Sequence, residues 1–312
     1  MKGMTAYIIR RIFFFIPTFF VVSIIVFSVV HFLPGDPITW MLVDNPLFVS
    51  PEVIEALTKH YGLDKPLYVQ YFTWLINIFK GNWGMSMKTR APVLLEISSR
   101  YLNTIQLAIS AMIFSIVVGI LAGITSAVKQ YSWFDRFSMF GALLGAAMPV
   151  YWTGLLLLWL FAVKLGWFPV AGGTDLRALV LPAVALGMAR TATMARLTRS
   201  SMLDVMREDY IKTARSKGLS ERLVIYKHAL KNALIPVVTV AGMSFGGMLG
   251  GTVITETIFT RSGLGRIAVE SIWTHDLPVI QGVTIVYVII FISLNLFVDV
   301  IYAYIDPRIR YE

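Results

Sequence analysis

Between Lys231 and Glu256 the chain reads Asn232-Ala233-Leu234-Ile235-Pro236-Val237-Val238-Thr239-Val240-Ala241-Gly242-Met243-Ser244-Phe245-Gly246-Gly247-Met248-Leu249-Gly250-Gly251-Thr252-Val253-Ile254-Thr255, 24 residues without a charge. A bilayer's hydrocarbon core takes about 20 helical residues to cross, so this run is long enough. Uncharged runs of 22, 28, 27 and 22 residues also occur at 12–33, 101–128, 137–163 and 277–298. Each predicts a membrane-spanning helix. Tyr101 flanks one run, and Tyr302 and Tyr304 another, as suits an interfacial aromatic belt.

Composition agrees. Of 312 residues, 57% are hydrophobic and 14% charged, with a mean hydropathy of +0.72. Soluble domains carry about 25% charged residues, so too little polar surface remains to coat a soluble enzyme. There are no cysteines, which excludes disulfides, thiolate catalysis and cysteine-based metal sites.

A sixth run, 178–189, has only 12 residues before Arg190. Charge placement decides it. If it spans, segments 1–11, 129–136, 190–235 and 299–312 share one side, and that side holds 17 of the 27 Lys+Arg. If it does not, the ten basic residues of 190–235 lie outside, against the positive-inside rule. The expectation is an all-α integral membrane protein with six transmembrane helices and both termini cytoplasmic. Arg10 and Arg11 could open a signal peptide, but the apolar run is too long and no small-residue cleavage site follows, so it reads as a retained first helix.

Three segments follow: 1–33, with the first helix; 34–100, a long external loop; and 101–312, a five-helix core carrying a cytoplasmic loop at 199–235. In the external loop, residues 51–60 read as a helix opened by Pro51 and ended by Gly62. Residues 68–79 hold Tyr68, Tyr71, Phe72, Trp74, Leu75, Ile78 and Phe79 without a charge. That helix either lies in the membrane interface or packs on the bundle's outer ends.

In the fifth span Gly242, Gly246 and Gly250 repeat every four residues, with Gly247 and Gly251 beside them. Such spacing admits a close helix neighbour and makes the helix deformable, as a gate or subunit interface requires; packing within one chain requires the same. Gly119/Gly123 and Gly141/Gly145 repeat it more weakly.

Chemistry is sparse. No phosphate-binding loop of the G-x-x-x-x-G-K-[ST] type occurs, and His31, His60, His228 and His275 form no H-E-x-x-H pair. No nucleophile elbow appears. The five long runs hold no ionisable residue at mid-depth for a proton relay, so the energy for any transport is expected from another subunit. Na⁺ coupling through backbone carbonyls stays open.

Segment 190–235 carries the inference. Glu208–Lys217 reads as a short helix, acidic at its start and basic at its end, matching the helix dipole. Gly218 is placed to end it, Ser220 to cap a second helix with Glu221 in its first turn, and Pro236 to begin the fifth span. The product is a helix–turn–helix knob suited to a partner's groove. A basic loop meeting anionic lipid is the plainer alternative, and a DNA reader pinned to a membrane is disfavoured.

The residues Tyr210-Ile211-Lys212-Thr213-Ala214-Arg215-Ser216-Lys217-Gly218-Leu219-Ser220-Glu221-Arg222, continuing through His228-Ala229-Leu230-Lys231-Asn232-Ala233-Leu234-Ile235-Pro236, resemble the cytoplasmic coupling motif of ABC-importer permeases. That pattern is Glu-Ala-Ala, three residues, Gly, then nine residues before Ile-x-Leu-Pro. Ala214, Gly218 and Leu230 match it; Lys212, Thr213, His228 and Lys231 depart in the manner of the family's peptide/nickel branch. Leu33-Pro34-Gly35-Asp36-Pro37, Tyr61-Gly62-Leu63-Asp64-Lys65-Pro66-Leu67 and Gly81-Asn82-Trp83-Gly84 are similar to that branch. So are Pro149-Val150-Tyr151-Trp152, Leu165-Gly166-Trp167-Phe168-Pro169, Ile258-Phe259, Gly263-Leu264-Gly265 and Asp306-Pro307-Arg308. The order resembles the first permease of the pair.

The resemblance implies a type I importer-permease fold in a prokaryotic inner membrane. It implies a second homologous permease, two ABC ATPase subunits, an external solute-binding protein, surrounding lipid, and no nucleic acid. ATP and Mg would be held by the ATPases, with no cofactor or metal on this chain, which is not itself an enzyme. The coupling residues would be Lys212, Thr213, Ala214, Arg215, Lys217, Gly218 and Leu230. Di- or oligopeptides are the expected cargo; nickel, glutathione or oligosaccharides are alternatives, and from another class a self-sufficient channel, a Na⁺-coupled carrier or a membrane scaffold.

Overall fold

The computed structural model describes residues 2–31, 50–173 and 175–305. The motifs at 33–37 and 306–308 lie outside the described residues, as do the side chains of Tyr302 and Tyr304. Secondary structure among the described residues is helical, with one isolated bridge between Met85 and Pro92. Four helical stretches are long and apolar enough to cross a membrane: Val93–Val128, Leu176–Val205, Glu221–Ile258 and Leu277–Val298. A fifth candidate is a bent pair, and the first helix holds a shorter apolar stretch, Phe13–Val29.

By contacts the chain divides into two compact units. One comprises Ala6–Leu102 and Ser262–Ser293. In it, α1 (Lys2–His31, from Ala6) is followed by α2 (Pro51–Tyr61), α3 (Leu67–Phe79) and α4 (Val93–Ser98), and later by α11 (Leu264–Trp273) and the start of α12 (Leu277–Ile305). The ends of α2 follow from its sequence. The Ser50 hydroxyl accepts from the Val53 N–H, Pro51 occupies the first turn, and Gly62 takes φ 67°, a left-handed cap that costs glycine nothing.

The charge-free helix α3 packs along α1. Tyr71, Leu75 and Ile78 bury against Phe19 and Phe27, and the Tyr71 hydroxyl and Ser23 Oγ lie 2.8 Å apart. His31 stacks on Phe27, and its Nε2 lies 2.8 Å from Gln70 Oε1. The opposite face of α3, with Tyr68, Phe72, Ile76 and Phe79, stays exposed.

Elsewhere in this unit Asp276, 3% exposed, organises a loop. Its carboxylate accepts from the Ser86 hydroxyl and from the N–H groups of Met87, at 3.0 Å, and Lys88, at 3.3 Å. A buried carboxylate with three donors is well compensated.

The other unit comprises Met1–Thr5, Asn103–Arg261 and Leu294–Glu312. It holds α5 (Tyr101–Val128, from Asn103), α6 (Trp133–Ala147), α7 (Val150–Leu157), α8 (Leu176–Val205), α9 (Asp209–Ser216) and α10 (Leu230–Ile258). Leu107, Ala111, Met112, Ala183, Leu186 and Met248 join α5, α8 and α10 in one apolar cluster.

Glycine sets the closest approach. A Cβ on Gly119 would lie 2.5 Å from Met194 Cβ, and one on Gly123 2.5 Å from Thr198 Cβ and 2.7 Å from the Ala195 carbonyl. No side chain fits at either place, so α5 and α8 meet backbone to backbone. Gly145 lies near Met188, whereas Gly141 has nothing within 4 Å.

Three expectations are corrected. The run 137–163 is not one continuous helix: α6 and α7 meet at 112°, and α7 passes into a π-helix, Leu158–Lys164. Pro149 disfavours helical backbone at the preceding residue, and Met148 accordingly takes the extended values φ −81° and ψ 128°. The short run 178–189 is the front half of the 30-residue α8, which passes through Arg190, Arg196 and Arg199. Pro236 does not open its helix: it lies inside α10, which follows a π-helical stretch, Val224–Ala229.

Candidate functional site

The helix α9 starts at Asp209, with Lys212 Nζ 2.8 Å from Asp209 Oδ1 and Thr213 Oγ1 donating to the Asp209 carbonyl at 2.9 Å. That Lys212 hydrogen bond holds the Asp209 carboxyl below the ordinary carboxylate range. The helix ends at Ser216, with Lys217 as its C-cap. Gly218 follows with φ 77°, and its N–H donates to the Arg215 carbonyl at 2.9 Å. Only glycine takes that conformation without strain, so Gly218 fixes the turn.

Beyond the turn, Ser220 stands at the N-cap of a single helical turn, Glu221–Leu223. It uses its carbonyl, accepting from Val224 N–H at 3.0 Å, while its side chain makes no cap. Arg215 spans the turn, with Nη2 2.7 Å and Nε 3.1 Å from the two oxygens of Glu221. This hydrogen-bonded acid raises the Arg215 pKa above the usual arginine value. Asn232 Nδ2 donates to the Tyr210 hydroxyl at 2.7 Å, tying α9 to the base of α10.

The knob is rooted in an apolar cluster. Ile211, Ala214, Val224, Ile225, Ala229 and Ala233 pack with Ile124, Ala127 and Met202, and Leu219 and Leu230 lie against them. Ala214 is 7% exposed, so it faces this cluster, whereas Lys212, Thr213, Arg215, Lys217 and Gly218 are on the surface. The sequence-predicted residues thus divide into an inward pair, Ala214 and Leu230, and an outward set.

The glycine residues of α10 also divide. Gly246 is buried and Gly242 half-buried; a Cβ on Gly251 would meet Leu186, and one on Gly250 would meet nothing within 4 Å. A Cβ on Gly247 would lie 3.1 Å from an Arg190 guanidinium nitrogen.

Two buried polar groupings carry no sequence motif. Asp135 is held by Arg199 in a two-point contact, Nε to Oδ1 at 2.7 Å and Nη2 to Oδ2 at 2.8 Å, linking α6 to α8. At the end of α10, Glu256 is wholly buried and accepts from the Thr104 hydroxyl at 2.7 Å. Arg261 beside it is 2% exposed and reaches Gln106 Oε1 at 3.2 Å. Burial pulls the Arg261 pKa down, and the charge of Glu256 opposes that. Glu256 and Arg261 were visible in sequence only as charges after an apolar run; their burial depends on α5.

Residues 115–311 match the family described as binding-protein-dependent transport system inner membrane component, and residues 4–108 match the N-terminal part of such membrane components. The dipeptide transport system permease protein DppB of Alkalihalophilus pseudofirmus is 44% identical, over 99% of this chain and 100% of that one. The glutathione transport system permease protein GsiC of Escherichia coli is 45% identical over the same shares. An inward-facing structure of the MetNI methionine ABC transporter has a TM-score of 0.58 at 17% identity, covering 68% of this chain and 97% of that one. An amino acid ABC transporter solved with histidines gives 0.54 at 15%, covering 68% and 94%. These two likenesses concern the fold alone. With these matches along its full length, the chain belongs to the inner-membrane permease components of binding-protein-dependent ABC importers.

Proposed function

We propose that this chain forms half of a pore for short peptides and pairs with a second, similar permease. Two ABC ATPases would sit on the cytoplasmic side and an external binding protein would deliver cargo. The carrying observation is full-length identity of 44% and 45% to permeases named for dipeptide and glutathione transport. Glutathione is itself a small peptide, so one cargo class covers both. Six crossings with both termini cytoplasmic remain our reading of the prokaryotic membrane topology; the basic residues from Arg207 to Lys231, beyond the end of α8, support it.

The knob is the proposed coupling element. Closure of the ATPases on ATP displaces α9, and the Arg215–Glu221 bridge, the Gly218 turn and the apolar root pass that motion to α10 as to one body. Coupling requires that the nucleotide state and the loaded binding protein each favour one pore conformation. The outward-facing Thr213 and Lys217 fit ATPase contact, and Ala214 fits the root. Gly242, Gly246, Gly247, Gly250 and Gly251 let α10 flex or meet a neighbour closely.

Gentle purification of the tagged chain from its native membranes, with mass spectrometry of what accompanies it, tests the assembly. Two ATPases and a second membrane protein of similar size are expected. A chain recovered alone, intact and stable, that transports without nucleotide would overturn the reading in favour of a self-sufficient carrier.

A further inference from the structure

Arg190 is the fifteenth residue of the 30-residue α8, and its guanidinium lies over Gly247 of α10. Along α10 the flanking charges are Lys231 and Glu256, sixteen and nine residues from Gly247. At 1.5 Å per residue these stand about 24 and about 14 Å away along the axis. The guanidinium therefore sits deep within the uncharged run that crosses the bilayer. Among the described residues it makes no ion pair, while Arg199 on the same helix is fully engaged by Asp135.

The surface beside it is open. Met243, Gly247, Gly250 and Ile254, spaced at four, three and four residues, form an exposed face of α10, and a Cβ on Gly250 would meet nothing within 4 Å. An arginine at this depth is costly against acyl chains, and lipid phosphates lie at the surface, out of its reach. The face therefore fits water, cargo or another permease. A glycine floor lets a ligand approach the backbone, and a planar guanidinium offers two parallel donors to a carboxylate. A charge that must receive cargo in each cycle is best left without a permanent partner. We propose that Arg190 binds the C-terminal carboxylate of the peptide cargo midway through the pore, with Gly247 and Gly250 as the floor of the site. This rests on the peptide reading above.

The test uses the nucleotide-free importer (both permeases and both ATPases) in nanodiscs without binding protein. Binding of radiolabelled dialanine is measured up to millimolar concentration, with unlabelled dialanine and dialanine amide as competitors. Wild type is expected to bind dialanine and to prefer it over the amide by about tenfold or more. Arg190→Gln should weaken binding by about tenfold or more, abolish that preference and leave subunit recovery unchanged; Arg190→Lys should fall between, since it keeps the charge and loses the fork.

Equal binding by wild type and Arg190→Gln overturns the site, as does equal competition by the amide. Loss of the second permease from the Arg190→Gln complex would instead make the residue an intersubunit contact. The wild-type assembly is also assayed for uptake with its binding protein. Uptake of dialanine without direct binding overturns this site and leaves the peptide reading standing. No uptake of dialanine overturns both.

Discussion

At the scale of single residues, what a side chain faces decides what its substitution reports. Ala214 matches the small residue of the coupling pattern, yet it points into the root of the knob. Ala214→Asp places a carboxylate among Ile124, Ile211 and Val224, and an uncompensated buried charge costs about 3–5 kcal/mol. We expect lower abundance in the membrane, seen by immunoblot, together with lost uptake. Lys217→Glu changes the surface only. It should leave abundance within about 20% and reduce ATPase-coupled uptake several-fold; unchanged uptake would remove Lys217 from the docking face. A third case is Asp276→Ala, which strips the acceptor from Ser86, Met87 and Lys88. A cost of about 2–3 kcal/mol should appear as faster protease cutting near Lys88.

At the scale of elements, glycine placement and proline placement had different legibility. Ser50, Pro51 and Gly62 delimit α2, and Gly218 ends the knob helix, because caps and left-handed turns act within a few residues. Apolar length alone read 137–163 as one helix and missed the turn at Met148, although Pro149 stood in plain view. A proline's outcome depends on neighbours: Pro149 breaks its helix, while Pro236 is accommodated inside α10. The length of α8 was hidden because three arginines interrupt its hydropathy, and the pairing of Arg199 with Asp135 is a long-range fact. For the same reason the sequence spacing identified the residues of the knob without showing which way Ala214 points. Of the repeated glycines, Gly119 and Gly123 make the tightest contacts described. Gly123→Leu should therefore be far worse than Gly250→Leu: a loss of about 3 kcal/mol or more, read as aggregation on extraction, against near-normal yield.

At the scale of the whole molecule, the absence of cysteine makes topology directly testable. Single cysteines can be introduced on an otherwise natural background. On the proposed topology, Lys129→Cys and Lys217→Cys react with a membrane-impermeant maleimide only after the membrane is opened. Lys88→Cys and Thr274→Cys react in intact cells. Labelling of Lys217→Cys from outside would reverse the orientation and dissociate the knob from any cytoplasmic ATPase. The π-helical stretch Val224–Ala229 adds a subtler handle. A π-turn amounts to one surplus residue threaded into an α-helix, so the stretch absorbs that residue and keeps the angular phase between the knob and α10. One alanine inserted after Lys231, where the pitch is already α-helical, has no such bulge to take it up and should turn the knob by about 100° about the helix axis without unfolding it. The protein would then be whole, membrane-inserted and mis-aimed: a transmission with every gear present and one tooth out of register.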